Sequence, residues 1–268
     1  MITSLANERI KNIRKLQERK ARQESGLFYV EGLRIVGEAV EQNASIETLI
    51  VAPELLKSEF GQDLVEQQKQ RGVPLLEVNA AVFQRLALKE GPQGLAAVMR
   101  QRWLPLEQVT PENGKTWVAL DSVADPGNLG AIMRTHDATG GLGLILLDQS
   151  TDPYDPSAVR ASMGALFTQR LVRATFAEFA HWKRRAGAYL IGASGSAQAD
   201  YHAVRYPPAV LVLMGSERQG LQEHHLALCD QVVRIPMVGQ GSDSLNLAVA
   251  TAVVLYEIFN QKRDRGVQ

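Results

Sequence analysis

The sequence has little cysteine, no long apolar run and no excess of either charge, and each shortage limits what the protein can be. Cys229 is the only cysteine in 268 residues, which excludes an intrachain disulfide and a zinc site built on cysteines. No uncharged run approaches the ~20 residues of a membrane-spanning helix, and the first residues lack the apolar core of a secretory signal. We therefore expect a cytoplasmic protein without a membrane segment.

The charges balance overall but are unevenly distributed along the chain. With 29 basic and 29 acidic residues, the formal net charge is zero and predicts no partner. Residues 1–22, however, hold an excess of five basic side chains. The basic residues are Arg9, Lys11, Arg14, Lys15, Arg19, Lys20 and Arg22. Such an excess on one predicted helix, over residues 4–22, is typical of a phosphate-binding surface, and a solvated helix face explains it equally well.

Short strands alternate with helices in both halves of the chain, which predicts an α/β protein. In the first half we predict strands at residues 28–30, 46–51, 75–78 and 95–99. Residues 102–115 contain several turn formers and few periodic apolar residues, and are interpreted as a linker. The predicted organisation is a small α/β domain over 1–101, the linker over 102–115, and a second domain over 116–268.

The second half contains continuous apolar runs, which are typical of a parallel sheet covered on both faces. The predicted strands are residues 117–120, 142–147, 189–192, 210–214 and 232–235. The predicted helices are residues 130–139, 156–166, 177–186, 222–228 and 245–262.

Three stretches of the second half place glycines and polar side chains at the ends of predicted elements. The first, residues 121–135, follows a strand and opens a helix, with Asn128 at the turn and Arg134 six residues further on. A helix start presents free N–H groups to an anion, and Arg adds a planar fork for phosphate. An ordinary turn with an Asn cap and a surface Arg would give the same local pattern.

The second stretch, residues 213–221, ends a strand at Gly215 and places Glu217 at its carboxyl end, where open α/β sheets bind ligands. The third, residues 232–257, runs from a strand through a Gly- and Ser-rich loop into a helix that we expect to be buried on most sides. Ser244 and Asn246 lie where this helix begins. Each signal alone has an ordinary explanation, a solvated Glu in one case and a helix cap in the other.

In this order and at these distances, the three stretches resemble the signature motifs of the SpoU/TrmH-type RNA 2′-O-methyltransferases. Residues 125–135 look like the motif D/N-P-G-N-x-G-x-x-x-R-T, residues 215–221 like G-x-E-x-x-G-L, and residues 235–257 like I-P-M…S-L-N…L-Y-E. Residues 28–32 and 91–96 resemble, less specifically, the ribosomal-protein-like RNA-binding domain that many members carry at the N-terminus.

The resemblance implies a SPOUT fold, a parallel-sheet domain whose C-terminal part is threaded as a trefoil knot. S-adenosyl-L-methionine (AdoMet) would bind in the knot, mostly through backbone groups, at Gly215, Ile235 and Leu245. The active site would form across a homodimer, with Arg134 reaching toward the methyl donor held by the other subunit. The loop between Met237 and Asn246 has about one residue more than the family pattern.

The implied reaction is methyl transfer to a ribose 2′-hydroxyl of structured RNA, with ribosomal RNA favoured by the ribosomal-protein-like first domain. Arg134 would hold the phosphate of the target nucleotide and help to deprotonate the hydroxyl. Asn128 would orient Arg134 or the ribose, and Glu217, Ser244 and Asn246 would complete the polar network. A tRNA substrate and a catalytically silent RNA-binding module remain as alternatives.

No metal site is expected in this chain. His224 and His225 are adjacent, and neighbours on a helix point about 100° apart, so the two rings cannot share one ion.

Overall fold

The computed structural model describes residues 1–88, 90–239 and 244–266, which divide into two units. One unit consists of residues 1–101 with 152–167, and the other of residues 102–151 with 168–268. The sequence analysis placed 152–167 in the C-terminal domain, whereas the structure packs this segment with the N-terminal residues. A buried ion pair between Arg22 and Asp152 and a ring contact between Phe28 and Tyr154 hold it there.

The N-terminal unit contains a four-stranded mixed sheet. Its strands are β1 (Leu27–Glu31), β2 (Ile46–Val51), β3 (Leu75–Glu77) and β4 (Leu95–Arg100), in the spatial order β1-β4-β2-β3. Strand β4 runs antiparallel to β1 and β2, and β3 runs parallel to β2. The first helices are α1 (Glu8–Lys15), α2 (Arg19–Ser25), α3 (Leu33–Glu41), α4 (Glu59–Gln70) and α5 (Ala80–Leu86).

The basic segment that was predicted as one helix forms the two helices α1 and α2, with Arg22 fixing the break between them. Arg22 is 1% exposed, and its Nη1 donates to the carbonyl oxygens of Leu16 and Gln17 at 3.0 and 2.8 Å. Its Nε lies 2.7 Å from Asp152 Oδ2, and its Nη2 lies 3.2 Å from Asp155 Oδ2. Arg22 therefore does not belong to a phosphate-binding surface, because its charge is neutralised inside the protein.

The C-terminal unit is built on a seven-stranded sheet in which every pair of neighbours is parallel. Its order is β7-β6-β5-β10-β8-β11-β9. The strands are β5 (Thr116–Asp121), β6 (Gly143–Leu147), β7 (Arg170–Ala174), β8 (Leu190–Ala193), β9 (Ala199–Asp200), β10 (Val210–Met214) and β11 (Gln231–Arg234). The prediction of a parallel sheet is confirmed.

The strands that the sequence analysis missed lie at the two edges of this sheet. In β7, the exposed side chains of Arg170 and Arg173 interrupt the apolar residues, which an edge strand tolerates because water reaches it. Strand β9 has two residues, too few to show a periodic pattern. A search for continuous apolar runs finds the central strands and passes over such edges.

The remaining helices are α6 (Pro126–Ala138), α7 (Pro156–Ser162), α8 (Phe176–Ala186), α9 (Glu223–Leu226) and α10 (Leu247–Asp264), of which α7 belongs to the N-terminal unit. Helix α6 begins four residues before the predicted start, because Asp125 caps it and Pro126 occupies its first turn. Helix α10 packs on α6. Within the described ranges, no helix combines the length and apolar composition needed to cross a membrane. The trefoil knot stays a prediction.

Polar side chains of α6 and α10 meet near the start of β5. His136 is fully buried, with its Nδ1 2.6 Å from Gln169 Oε1 and its Nε2 3.1 Å from the carbonyl oxygen of Thr116. Burial lowers the pKa of His136 to about 4. Lys262 donates from Nζ to Thr116 Oγ1 at 2.7 Å, and burial, with a further contribution from Lys115, lowers its pKa to about 8. These side chains anchor the end of α10 to the sheet and are shielded from solvent.

Parallel strands present all their carboxyl ends at one edge of a sheet. The three stretches singled out in the sequence follow β5, β10 and β11. Strands β5 and β10 are neighbours, and β8 alone separates β10 from β11. The fold therefore brings the three stretches to the same edge.

Candidate active site

Glu217 ties the loop after β10 to the turn that opens α6. Its Oε2 accepts the backbone N–H of Ala124 at 3.0 Å, and its Oε1 accepts the N–H of Asp125 at 3.2 Å. The same Oε1 also accepts Nδ2 of Asn128 at 3.2 Å. One carboxylate thus joins the first and second stretches.

Asn128 continues this network to the third stretch. Its Oδ1 accepts Nδ2 of Asn246 at 3.0 Å. Asn246 Oδ1 in turn accepts the N–H groups of Ala248 and Val249 at 2.9 and 3.3 Å, which caps α10. The ordinary capping role and the meeting of the three stretches therefore occur together. We call Glu217, Asn128 and Asn246 the polar network.

The hydrogen bonds around Glu217 keep it charged. Burial acts to raise its pKa, but the N–H groups of Ala124 and Asp125, the Asn128 amide and its own backbone N–H together outweigh that effect. The pKa of Glu217 therefore lies below its usual value, and the side chain is an anion at neutral pH.

A cavity of about 380 Å³ opens beside the polar network, within the size range of small-molecule sites. The second and third stretches contribute to its wall, and the first stretch is tied to that wall through Glu217. Of the predicted site residues, its lining includes Gly215, Glu217, Ile235, Ser244 and Leu245. The three residues predicted to bind the cofactor thus share one cavity.

The sequence analysis missed one wall of this cavity, which Ala193, Ser194 and Gly195 form. Ala193 is the last residue of β8, the strand between β10 and β11, and Ser194 and Gly195 follow it. No motif marks them, and only the strand order places them beside the other stretches. The loop predicted to have about one extra residue, between Met237 and Asn246, includes residues 240–243, which lie outside the described residues.

Gly215 allows the backbone to approach itself closely at the floor of the cavity. Residues 216–220 form a tight turn, in which the N–H of Gly220 donates to the carbonyl oxygen of Ser216 at 2.9 Å. A Cβ added at Gly215 would collide with backbone atoms of Gly220 and Leu221. A side chain at 215 therefore requires the turn to move.

Arg134 stands apart from the polar network of its own chain. It is exposed, and it makes no hydrogen bond or ion pair with any residue that the structure describes. At 1.5 Å and 100° per residue, it lies about 9 Å along α6 from Asn128 and about 120° around the axis. A single chain therefore unites Asn128, Glu217 and Asn246, but leaves Arg134 facing solvent.

A buried pair connects α9 to the end of β5. His225 Nε2 lies 3.4 Å from Asp121 Oδ2, and His225 Nδ1 accepts the N–H of Gln222 at 3.0 Å. Burial lowers the pKa of His225, and Asp121 acts in the opposite direction. Among the described residues, no three His, Cys, Asp or Glu side chains lie close enough together to hold a metal ion.

Comparison with protein families gives two matches. Residues 115–256 match the SpoU rRNA methylase family, and residues 7–97 match the MRM3-like substrate-binding domain. The first match covers the cavity and the polar network, and the second covers α1 to α5 with most of the first sheet.

Similar proteins extend over nearly the whole chain. The 23S rRNA (uridine(2479)-2'-O)-methyltransferase of Streptomyces viridochromogenes is 32% identical over 92% of this chain and 87% of its own length. The 23S rRNA (guanosine(2553)-2'-O)-methyltransferase RlmP of Bacillus subtilis is 27% identical over 96% and 98%. The crystal structure of an AdoMet-bound rRNA methyltransferase from Sinorhizobium meliloti superposes with a TM-score of 0.88 at 37% identity, covering 98% and 97%. The chain therefore belongs to the SpoU rRNA methylase family.

Proposed function

We propose that this protein transfers a methyl group from AdoMet to a ribose 2′-hydroxyl of ribosomal RNA. The observation that carries the proposal is the cavity at the carboxyl edge of the parallel sheet, with the polar network beside it. Two relatives named as 23S rRNA 2′-O-methyltransferases match this chain over most of its length, and they support the choice of reaction and substrate. Because the proposed substrate is rRNA, we also expect the protein to act in the cytoplasm.

The cavity suits AdoMet in size and in charge. Gly215, Ile235 and Leu245 offer backbone groups and apolar surface for binding, and the anionic Glu217 complements a positively charged ligand. When bound, AdoMet supplies an electrophilic methyl group on a sulfonium. The polar network fixes the loops around the AdoMet cavity, because the side-chain amides of Asn128 and Asn246 each donate one hydrogen bond and accept at least one.

Arg134 is the residue that we propose for contact with RNA. Its guanidinium holds the phosphate of the target nucleotide, which aligns the 2′-hydroxyl for in-line attack. An arginine stays charged in proteins, so a phosphate oxygen held by Arg134 is a less costly proton acceptor than Arg134 itself. Ser244, at the rim of the cavity, completes the polar surroundings of the ribose.

A homodimer explains why Arg134 is separate from the polar network of its own chain. Helix α10, predicted to be buried on most sides, keeps an apolar stripe exposed in the single subunit. Val249 is 50% exposed and Tyr256 is 46% exposed, and Leu245 next to the helix is 40% exposed. We infer that a second copy covers this stripe and brings its Arg134 to the cavity of the first.

Replacing Gly215 with alanine is expected to weaken AdoMet binding at least about tenfold, a loss of about 1.4 kcal/mol. The added Cβ would collide with the backbone of Gly220 and Leu221, so the turn that forms the cavity floor must shift. Isothermal titration calorimetry with AdoMet measures the change.

The matched control is Gly195→Ala, which adds a methyl group to the same lining without a collision. No described atom lies within 4 Å of a Cβ at Gly195. We expect its AdoMet affinity to stay within about threefold of wild type. Equal weakening in both variants would mean that the methyl group blocks the ligand, and would refute the role of the close backbone approach.

The function is tested with ribosomal RNA from cells that lack the protein. Purified protein and AdoMet should methylate one or a few ribose positions of this RNA, mapped by resistance to alkaline cleavage. Transfer RNA from the same cells is the competing substrate. Methylation of tRNA alone would exclude an rRNA substrate, and AdoMet binding without methylation of either RNA would favour a silent binding module.

A further inference from the structure

We propose that a groove in the N-terminal unit binds a single-stranded segment of the substrate RNA, with its phosphates on Arg9 and Lys15 and its bases on an apolar floor. The inference rests on the proposed function, because it takes RNA as the substrate. It adds a binding site in the N-terminal unit for a single-stranded segment of that RNA. We call this site the α1 groove.

The α1 groove lies between the first two helices and one end of the four-stranded sheet. Its volume is about 710 Å³, within the range of sites that hold drug-sized ligands, a size class that includes a nucleotide. Leu27 and Leu75, the first residues of β1 and β3, line it. The groove is therefore at the end of the sheet where these two strands begin, away from the turn at Gly32.

The floor of the α1 groove is aliphatic. Ile13 and Leu16 of α1 and Leu76 and Val98 of the sheet form its buried base, and Leu75 is partly exposed. Polar side chains from Asn12, Ser25 and Thr48 are spaced along the walls. Covering such a surface with an apolar group is favourable, because it removes apolar area from water. The hydroxyl and amide groups at its edge can form hydrogen bonds with a base.

On the walls of the groove, the carboxylates have ion-pair partners, whereas the two cations have none among the described residues. Glu47 Oε2 lies 2.6 Å from Arg100 Nη2, and Glu24 Oε1 lies 3.8 Å from Lys20 Nζ, so the two lining carboxylates already have partners. Arg9 and Lys15 are exposed and form no ion pair with any residue in the described part of the chain. Two uncompensated cations beside an apolar floor favour an anionic ligand with apolar faces.

A single RNA strand matches this combination better than a duplex does. Unstacked bases present apolar faces to the floor while the connected phosphates reach the cations on the rim. A duplex presents its backbone outward, which would satisfy Arg9 and Lys15 but leave the aliphatic floor exposed to water. An acidic amphipathic peptide is the other class of ligand that could carry both features, and the experiment below separates the two.

The test compares the salt dependence of RNA binding in full-length proteins. The probe is a 12-nucleotide single-stranded RNA, and the variant is the pair Arg9→Gln and Lys15→Gln. Removing two phosphate contacts should reduce the slope of log affinity against log salt by about 1.4, taking about 0.7 per contact for single strands. The advantage of wild type over the variant should then shrink about sevenfold between 50 and 200 mM salt.

The matched control removes the same charge elsewhere in the same unit. Arg14 on α1 and Arg71 after α4 are exposed and do not line the groove, so Arg14→Gln with Arg71→Gln should leave the slope near that of wild type. AdoMet affinity should be unchanged in both double variants, and urea unfolding like that of wild type confirms that the N-terminal unit is folded. An equal reduction of the slope in both would show diffuse attraction and would overturn the groove.

The apolar floor has its own readout. Wild type should bind the 12-nucleotide RNA more tightly than an abasic strand of equal length, and Leu75→Asn should lose most of that preference with an unchanged salt slope. No preference in wild type, or binding of a duplex as tightly as the single strand, would refute the proposal. The proposal would also be refuted if an acidic amphipathic peptide bound wild type more tightly than the Arg9/Lys15 variant but did not displace RNA. The groove would then bind the peptide, and the RNA would bind elsewhere.

These outcomes are distinguishable from failure of the proposed function. If wild type methylates rRNA and the Arg9/Lys15 variant binds RNA like the control variant, the groove is wrong while the enzyme activity stands. If wild type neither binds AdoMet nor methylates RNA, the proposed function fails, whatever the salt slopes show.

Discussion

Replacing Arg134 with alanine is expected to slow methyl transfer to RNA about 10²–10³-fold, the loss typical when one donor that stabilises the transition state is removed. The affinity for AdoMet should remain that of wild type, because Arg134 does not line the cavity of its own chain and is proposed to contact the RNA phosphate in the cavity of the partner. The folding stability should also remain, because the side chain is exposed and has no partner among the described residues. Single-turnover methylation at saturating RNA measures the chemical step.

Arg184→Ala is the control for loss of a surface charge, because Arg184 is exposed in the last turn of α8. It should change the rate less than about threefold, because salt largely screens an exposed charge. If Arg134→Ala retained near-wild-type turnover while folded, the catalytic assignment would be wrong.

Mixing two impaired variants, at an AdoMet concentration that leaves the Gly215→Ala cavity nearly empty, tests whether the site spans two subunits. In a mixed dimer of Arg134→Ala and Gly215→Ala subunits, one cavity is intact and receives Arg134 from the other chain. With random exchange of subunits, about a quarter of wild-type activity should return. A site contained in one chain would give no recovery, because each subunit then carries one defect.

Replacing Arg22 with alanine is expected to destabilise the N-terminal unit by about 3–5 kcal/mol, the usual cost of leaving a buried ion-pair partner uncompensated. The side chain of Asp152 is 3% exposed, so water cannot replace the lost guanidinium without local opening. The carbonyl oxygens of Leu16 and Gln17 would also lose their donor. Urea unfolding of the full chain measures the loss.

The control for Arg22 is Lys20→Ala on the same helix. Lys20 pairs with Glu24 at the surface, at 3.8 Å, and such exposed pairs contribute little to stability. A second check is the variant Arg22→Ala with Asp152→Ala, which should be less destabilised than the sum of the two single changes. Strict additivity would mean that the two charges are not coupled.

The sequence alone predicted the central strands of the second sheet and the meeting of three distant stretches. Continuous apolar runs mark β5 and β10 because both faces of those strands are covered. Such a run is visible in the local sequence and does not depend on knowing which distant residues cover it. The family resemblance is confirmed, whereas the catalytic roles of Asn128, Glu217 and Asn246 stay predictions. What the structure adds is the hydrogen bonding that connects the three side chains.

Features that depend on distant partners could not be predicted from the sequence. Arg22 has the same sequence signal as Arg14, and only the approach of Asp152, 130 residues away, makes it a buried ion-pair partner. His136 likewise has no local signal of burial, yet it is fully buried and contacts Gln169 and Thr116. Local spacing carries no information about such contacts.

The position of residues 152–167 limits how this protein could exchange its N-terminal unit. These residues are encoded between β6 and β7 of the methyltransferase sheet, yet they complete the N-terminal unit. A recombination event that exchanged only residues 1–101 would separate Arg22 from Asp152 and would leave the buried carboxylate of Asp152 without this partner. Inheritance of a new N-terminal unit therefore requires three junctions within the coding sequence, at 101/102, 151/152 and 167/168, or gradual co-variation of both segments.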